Sequence, residues 1–175
     1  ENKYYIDESN LDNLVFLDNG TQFVITSEKS GYMHLYLYDL NGRERQAITK
    51  GNFDIIDFYG YDPVRKLFYY SSYEESPLEK YIYSINEKGL KKKLTPVKGW
   101  NEASFSKNFN YYINVVSNTD TPPVTALYNA KGKQVRVLED NKAVKEAVKA
   151  YNLAKPEFIQ IPAADGKTML NAWIM

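Results

Sequence analysis

Short segments in which apolar and polar residues alternate run through most of the chain, and glycine-containing turns separate them. Alternation with a period of two is typical of β-strands that bury one face. Three of these segments line up as repeats: FVITSEKSG, FYYSSYEESP and INVVSNTDTP. The same spacing of 45 residues separates their serines, Ser27, Ser72 and Ser117, and three tyrosines further along, Tyr38, Tyr83 and Tyr128. The chain therefore repeats one structural unit.

Each repeat predicts four short strands joined by turns. In the second repeat we expect them at residues 55–59, 66–71, 81–85 and 90–94. Four-stranded units that recur roughly every 40 to 50 residues are typical of β-propeller blades. A hairpin-rich sandwich would account for one such unit but not for three in register. We therefore predict a mainly all-β fold, with about three four-stranded propeller blades within residues 1–138.

The period ends after the third repeat, and residues 139–156 predict a linker helix. Asp140 or Asn141 can cap it, and Pro156 prevents its continuation. One face of this helix is apolar, which is the pattern of a helix that packs against a partner. That face carries four residues, Val144, Ala147, Val148 and Tyr151.

Residues 157–175 predict a β-hairpin around the turn Ala-Asp-Gly-Lys at 164–167. Asp-Gly between two apolar segments favours a tight hairpin, because glycine accepts the positive φ that such turns require. Three blades do not close a ring, and this hairpin carries much apolar surface. We expect the chain to be a piece of a larger protein and, on its own, to self-associate.

The amino-acid composition favours a strand-rich protein and argues against some classes of function. Hydrophobic residues make up 43% of the chain, and its 16 tyrosines favour strands. We expect eight strand tyrosines in the core between blades: Tyr36, Tyr38, Tyr69, Tyr70, Tyr81, Tyr83, Tyr111 and Tyr112. Acidic and basic residues balance at 22 each, which argues against nucleic acid as a partner. No apolar run is long enough to span a membrane.

Thiol and metal chemistry find little support in the residues. Cysteine is absent, which excludes disulfides and thiolate sites. No group of Asp, Glu and His has the spacing of metal ligands, so we expect neither metal nor cofactor. The one histidine, His34, lies within a predicted blade strand and is interpreted as structural or solvated.

Several segments resemble the dipeptidyl peptidase IV family of serine peptidases: ITKGNFDIIDFYGYD, LFYYSSYEESPLEKYIYSI, VRVLEDN and FIQIPAADGKTMLNAWIM. The resemblance implies a two-domain enzyme in which an eight-bladed propeller caps an α/β-hydrolase domain. It further implies release of N-terminal dipeptides with proline, or less readily alanine, as second residue. Residues 157–175 would be the first hairpin of a truncated α/β-hydrolase domain. The parent protein is expected to be bacterial and periplasmic or secreted.

The catalytic residues of such an enzyme are not expected in this chain. No Gly-x-Ser-x-Gly elbow occurs, so we predict that the chain alone lacks a Ser/Asp/His triad and is inactive. Its expected partners are the missing hydrolase domain, the remaining blades and, through the parent protein, peptides with Pro or Ala in second place.

The resemblance also bears on candidate substrate-binding residues. Tyr4 and Tyr5 are candidates for lining the substrate cavity, because aromatic faces suit apolar substrate surfaces; packing within a blade is the alternative. The pair Glu74 and Glu75 is interpreted as a solvated turn, not as the glutamate pair with which the family binds the substrate ammonium group.

Two other functions remain open from the residues. The first is a non-enzymatic propeller that serves as a binding or scaffolding module. The second keeps the architecture but changes the substrate, to that of an oligopeptidase or acylaminoacyl peptidase.

Overall fold

The structure, a computed structural model, describes residues 13–17, 20–151 and 153–175. The described part consists mainly of strands and contains one α-helix. The strands are β1 Val15–Phe16, β2 Gln22–Ser27, β3 His34–Asp39, β4 Glu44–Ala47, β5 Ile55–Asp62, β6 Leu67–Ser72, β7 Tyr81–Ile85, β8 Lys91–Lys93, β9 Trp100–Phe105, β10 Tyr111–Asn118, β11 Thr121–Asn129, β12 Gln134–Glu139, β13 Glu157–Pro162 and β14 Met169–Ile174; the helix is α1, Lys142–Ala150.

Twelve strands form three four-stranded antiparallel sheets, with the orders β1-β2-β3-β4, β5-β6-β7-β8 and β9-β10-β11-β12. Each sheet is a simple meander in which neighbours along the chain are neighbours in the sheet, as in a propeller blade. The prediction of three blades is confirmed, and the four strands of the second blade lie where they were expected. The main difference is β5, which continues to Asp62 because it pairs with β6 as far as Leu67.

Equivalent strands run in the same direction in all three blades. The end at which β3, β7 and β11 begin is called the α1 end here, since helix α1 follows the third blade there. The loop between β10 and β11 lies at this end, and so do the connections from one blade to the next. Asn141 Nδ2 donates to the carbonyl of Pro123, and Lys155 Nζ donates to Asp120 Oδ1, each at 2.6 Å. These contacts hold the segment after the third blade against the α1 end.

The inner edge of each blade can be distinguished from the outer edge. Strand β8 consists of three exposed lysines and β12 is exposed throughout, whereas β5 is largely covered. We assign the first strand of each blade to the inner edge, next to the central channel that propeller blades surround. Charged, exposed strands at the outer edge also discourage pairing with other chains.

Aromatic side chains fill the space between the blades. One core cluster joins the first blade to the second and includes Tyr70, Tyr81 and Tyr83; another joins the second to the third and includes Tyr69 and Tyr112. Tyr36 is buried as well, so the predicted tyrosine core is confirmed for these six residues. Tyr38 is half-buried.

The prediction is wrong for Tyr111, which is 50% exposed. This residue begins β10, and the pleat turns its side chain to the face opposite that of the buried Tyr112.

A threonine contact recurs where one blade leads into the next. The hydroxyl of Thr49 accepts a hydrogen bond from the backbone of Leu35, and that of Thr95 accepts one from Ile82, both at 3.0 Å. Each threonine follows an outer strand and precedes a glycine with positive φ, Gly51 or Gly99. The buried hydroxyl satisfies a strand N–H that the short outer strand no longer reaches.

The predicted helix forms, but its capping differs from the expectation. Asn141 occupies the N-cap in a left-handed conformation, and its side chain bonds to Pro123 instead of capping the helix. Asp140 Oδ1 accepts from the backbone of Lys142 at 3.0 Å. The apolar face of α1 has no buried residue. No helix in the described ranges is both long and apolar enough to cross a membrane.

The predicted hairpin is confirmed as β13 and β14, with Gly166 at φ 67° in its turn. Hydrogen bonds from Thr168 and Lys167 to Asp165 stabilise the turn and lower the pKa of this carboxyl to about 2. The large apolar side chains of the hairpin are exposed: Phe158, Ile161, Met169, Leu170, Trp173, Ile174 and Met175.

We predict that the turn glycines differ in how well they tolerate alanine. Gly89 and Gly132 hold equivalent turns at φ 78° and 77°, but a Cβ at Gly132 would lie 2.8 Å from the carbonyl oxygen of Leu94, whereas Gly89 faces open space. Both Gly→Ala changes should cost about 1 kcal/mol for the left-handed backbone. Gly132→Ala should cost about 1 to 3 kcal/mol more, because the neighbouring blade must move.

Denaturant unfolding of the two variants measures the difference directly. Equal losses of unfolding free energy for Gly89→Ala and Gly132→Ala would contradict the described contact between the second and third blades.

We also predict that the 175-residue chain, expressed alone, self-associates through the exposed apolar faces of α1 and the hairpin. Light scattering at micromolar concentration should give a mass above that of one chain. A mass of one chain that persists as the concentration rises would contradict the prediction.

Candidate functional site

A cluster of charged and aromatic side chains lies at the α1 end, between the inner strands of the second and third blades. It consists of Asp57 on β5, Trp100 and Glu102 on β9, and Lys80, which immediately precedes β7; we call it the Lys80 cluster. The backbone of Lys80 donates to the carbonyl of Gly99 and accepts from Asn101, so it is fixed to the start of β9. This pairing carries the lysine side chain across the blade boundary.

Lys80 contacts all three other members of the cluster. Its Nζ lies 3.2 Å from Asp57 Oδ2, 3.6 Å from Glu102 Oε1 and 5.0 Å from the centre of the Trp100 ring. The lysine side chain is 5% exposed, whereas the carboxylates are 43% and 65% exposed. One covered cation and two accessible anions give this surface a net negative charge beside an aromatic face.

Asp57 is the best-supported carboxylate of the cluster. Ser71 Oγ donates to its Oδ2 at 2.6 Å, and the Tyr59 hydroxyl does so at 3.3 Å. Burial alone would raise the pKa of Asp57, but the hydrogen bond from Ser71 and the charge of Lys80 outweigh it, and the pKa is lowered. Burial and the charge of Asp57 raise the pKa of Tyr59, so that hydroxyl remains a donor. Asp57 is therefore held as an anion at neutral pH.

Asn101 fixes the backbone from which Trp100 and Glu102 project. Its fully buried amide nitrogen lies within 3.2 Å of three carbonyl oxygens, those of Lys80, Val97 and Gly99. Its Oδ1 accepts from Asn114 at 2.9 Å. A buried amide with these partners orders the blade connection, because its contacts join the residue before β7 to the loop before β9.

His34, Glu74 and Glu75, which were singled out in the sequence, lie outside the Lys80 cluster. Tyr4 and Tyr5 fall outside the described residues, so their assignment to the substrate cavity stays a prediction. His34 is 2% exposed; its Nδ1 is 3.0 Å from Thr49 Oγ1 and its Nε2 is 3.0 Å from the carbonyl oxygen of Gly51. Because the carbonyl of Gly51 can only accept, Nε2–H donates to it, and in this tautomer Nδ1 accepts from the Thr49 hydroxyl. These contacts fit the structural interpretation of His34 and not the solvated one.

The interpretation of Glu74 and Glu75 as a solvated turn is wrong for Glu74, whereas Glu75 lies in the turn with its side chain 45% exposed. The Glu74 side chain is 8% exposed and pairs with Lys91 at 2.6 Å, and Glu75 pairs with Lys93 at 2.7 Å. The bond from Lys93 holds the pKa of Glu75 below its usual range. The outer strand β8 supplies both lysines, which the sequence alone did not place next to this loop.

The same position carries the opposite charge in the first blade. Lys29, one repeat of 45 residues before Glu74, pairs with Glu44 on the outer strand β4. In the first two blades, an ion pair therefore connects the loop between the second and third strands to the outer strand. The loop supplies the cation in the first blade and the anion in the second.

Sequence reasoning missed the Lys80 cluster, although one signal was present. Asp57 and Glu102 are spaced by 45 residues and thus occupy the same place in successive repeats. Lys80 gave no such signal, because its role depends on the bridge between Lys80 and Trp100. In the part of the chain that the structure describes, no group of three or more His, Cys, Asp and Glu could hold a metal ion.

Residues 1–123 match the family model described as dipeptidyl peptidase IV (DPP IV) N-terminal region. The chain belongs to the dipeptidyl peptidase IV family. It represents part of the N-terminal propeller region of that family, in agreement with its four-stranded sheets.

Two solved structures of the family resemble the chain. Porphyromonas gingivalis dipeptidyl peptidase 4 is 42% identical with a TM-score of 0.90; the match covers 98% of this chain and 24% of that one. A putative dipeptidyl aminopeptidase IV from Bacteroides ovatus is 25% identical with a TM-score of 0.76, over 90% of this chain and 25% of that one.

Curated fungal relatives also match most of the chain. A probable dipeptidyl peptidase 4 of Aspergillus flavus is 30% identical over 157 residues, which are 87% of this chain and 20% of the relative. Dipeptidyl peptidase 4 of Trichophyton rubrum is 30% identical over 172 residues, covering 91% of this chain and 22% of the relative. The chain thus spans about a fifth of the length of these curated relatives.

We predict that Asp57 and Lys80 stabilise the blade boundary as a coupled pair. Asp57→Asn and Lys80→Met should each lower the free energy of unfolding. A double-mutant cycle should give a coupling of about 1 kcal/mol, a modest value because the carboxylate is partly solvated. Additive effects of the two substitutions would contradict the pairing.

The stabilisation by Asp57 should also depend on pH. Its pKa is lower in the folded protein than the value of about 3.9 of an unfolded chain, so the anion stabilises the fold above that pH. This contribution is lost as the pH falls through the lowered value. The destabilisation caused by Asp57→Asn, measured by urea unfolding, should therefore be greater at neutral pH than in acid. A difference that grows on acidification would contradict this sign.

Proposed function

We propose that this chain is a non-catalytic part of the propeller of a serine-type dipeptidyl peptidase. The parent enzyme removes N-terminal dipeptides that carry proline or alanine as second residue, and the propeller gates and lines the substrate cavity. The observation that supports this most strongly is the similarity to Porphyromonas gingivalis dipeptidyl peptidase 4 over 98% of the chain. Residues 1–138 then belong to the propeller, 139–156 to a linker, and 157–175 to the start of the hydrolase domain.

In this proposal the α1 end of the blades faces the catalytic domain. The chain leaves the third blade at that end, and Lys155 and Asn141 hold the following segment there. The hairpin of β13 and β14 exposes an apolar surface beyond this point, as expected of an element that a further domain covers.

The Lys80 cluster then lies on the cavity side of the propeller. Trp100 presents an accessible aromatic face on an inner strand, a surface that suits the apolar ring of a prolyl peptide. The carboxylates of Asp57 and Glu102 give the same wall a negative charge, which favours the positively charged N-terminus of an incoming peptide.

The nucleophile, base and orienting carboxylate of the hydrolase come, in this proposal, from the part of the relatives that this chain does not cover. A serine elbow of the type Gly-x-Ser-x-Gly is the expected nucleophile. The described residues contribute the shape, the charge and the aromatic surface of the entrance.

Hydrolysis of a Gly-Pro chromogenic substrate tests the proposed activity. The natural gene product should turn the substrate over, and replacement of the elbow serine by alanine should abolish turnover. The 175-residue chain alone should not hydrolyse the substrate. If the natural gene product is inactive and contains no serine elbow, the peptidase proposal fails and a binding or scaffolding propeller takes its place.

We predict that Trp100→Ala weakens the use of longer peptides by the natural gene product. Loss of one aromatic contact should raise KM about fivefold to tenfold and leave kcat nearly unchanged. Tyr111→Ala is the matched control. Tyr111 is about as exposed as Trp100 but lies at the opposite end of the same blade. Equal effects of the two substitutions would contradict the placement of Trp100 in the cavity.

A further inference from the structure

The blades have a second end, opposite the α1 end, where consecutive strands of one blade are joined by turns; we call this surface the turn end. The structure describes five of its turns, at residues 40–43, 63–66, 86–90, 106–110 and 130–133. Because equivalent strands run in the same direction in every blade, these turns lie side by side. The turn end is separated from the Lys80 cluster by the length of the strands.

Basic residues dominate the turn end, although acidic and basic residues balance over the whole chain. The five turns carry one acidic residue, Glu87, against seven basic residues, all exposed: Arg43, Arg65, Lys66, Lys88, Lys107, Lys131 and Lys133. The loops and blade connections at the α1 end carry six acidic and four basic residues; they are 28–33, 48–54, 73–80, 94–99 and 119–120. Positive charge is therefore concentrated at one end of the blades.

Most of this positive charge has no counter-ion. Asp62, at the end of β5, pairs with Arg65 at 2.6 Å. The other six cations of the turn end form no ion pair with any residue that the structure describes. Exposed cations of one sign repel one another, and an anionic partner relieves that repulsion.

The turns are held in fixed positions. In each of the three outer turns, one side-chain oxygen accepts from two backbone N–H groups at 2.9 to 3.1 Å; these oxygens belong to Asp39, Asn86 and Asn129. Contacts across the blade boundaries join neighbouring turns. Gln46 donates to the carbonyl of Glu87 at 3.0 Å, and Lys92 Nζ donates to that of Lys131 at 2.8 Å. The turn end is thus one continuous surface across the three blades.

Large apolar side chains stand among these cations with little cover. Leu40, Val64 and Leu90 lie in three different turns and are 57%, 85% and 69% exposed. Exposed apolar side chains flanked by cations are typical of proteins that bind an anionic membrane surface. The apolar groups enter the headgroup region, and the cations are attracted to the lipid phosphates. A soluble polyanion would contact the cations but leave the apolar side chains in water, so the combination favours a membrane.

We propose that the turn end binds the surface of a membrane that contains anionic phospholipids. The inference goes beyond the proposed peptidase function. It requires the turn end to stay open to solvent, as it does when the α1 end faces the catalytic domain. In that orientation the catalytic domain lies on the far side of the blades from the membrane.

The test is co-sedimentation of the natural gene product with phosphatidylcholine vesicles, with and without phosphatidylglycerol. The protein should bind only the vesicles that contain phosphatidylglycerol, and binding should weaken as the salt concentration rises, because salt screens the cations. The combined variant Lys88→Gln, Lys131→Gln and Lys133→Gln should bind about a hundredfold more weakly, since each cation near an anionic surface contributes about fivefold. Its folding should be unaffected, because all three side chains are exposed.

The matched control removes the same charge from the opposite end of the blades. Lys50→Gln, Lys142→Gln and Lys145→Gln also alter exposed lysines that form no ion pair with a described residue. This variant should bind the vesicles within about twofold of the unmodified protein, because these charges lie more than a screening length from the membrane.

Val64→Ser combined with Leu90→Ser tests the apolar contribution. Both side chains are exposed, so the fold should be unaffected. Binding to vesicles that contain phosphatidylglycerol should weaken about tenfold, because less apolar surface enters the headgroup region. Inorganic polyphosphate serves as a soluble polyanion, and any binding of this probe should be unchanged by the two substitutions.

Three results would overturn the proposal. The first is equal binding to vesicles with and without phosphatidylglycerol, including no binding to either. The second is equal binding by the turn-end lysine variant and its matched control. The third is unchanged vesicle binding after Val64→Ser and Leu90→Ser; strong binding of polyphosphate in that case assigns a soluble polyanion as partner. None of these readouts uses peptide hydrolysis, so a failure here leaves the proposed peptidase function standing.

Discussion

The stacking of one four-stranded sheet on the next is the constraint on which the rest of this structure depends. Each sheet is too small to bury its own aromatic residues, and the tyrosines of β6 and β7, with Tyr112 of β10, become buried only between blades. The boundary between the second and third blades shows how closely they meet. Leu94 presents its carbonyl to the hydroxyl of Tyr112 at 3.1 Å and leaves no room for a Cβ at Gly132.

The same stacking determines which polar groups are buried. Thr49 and Thr95 satisfy strand N–H groups where one blade leads into the next, and Asn101 gathers the carbonyls of the following connection. Lys80 is covered because its side chain crosses from the second blade to the inner strand of the third. The charged and aromatic surface of the Lys80 cluster thus arises from the contacts that hold the blades together.

Much of the fold could be predicted from the sequence, because the repeat shows which residues occupy equivalent positions in successive blades. Serines and tyrosines spaced by 45 residues place the strands of all three blades, and Asp165-Gly166 places the hairpin. The partners of individual side chains were harder to predict from the sequence. Glu74 lies in a loop and pairs with Lys91 of an outer strand. The alternation of apolar and polar residues along the sequence predicts only that both residues are polar, not that they pair. The exposure of Tyr111 likewise depends on which face of β10 meets a neighbour.

The candidate site was the least predictable part, since it arises between repeats and not within one. The orientation of the propeller can be tested with an experimental structure of the natural gene product with a bound dipeptide. We expect the α1 end of the blades to face the catalytic domain, with Trp100 and Asp57 lining the cavity that holds the dipeptide. A structure in which the α1 end faces solvent, with the Lys80 cluster remote from the dipeptide, would contradict it.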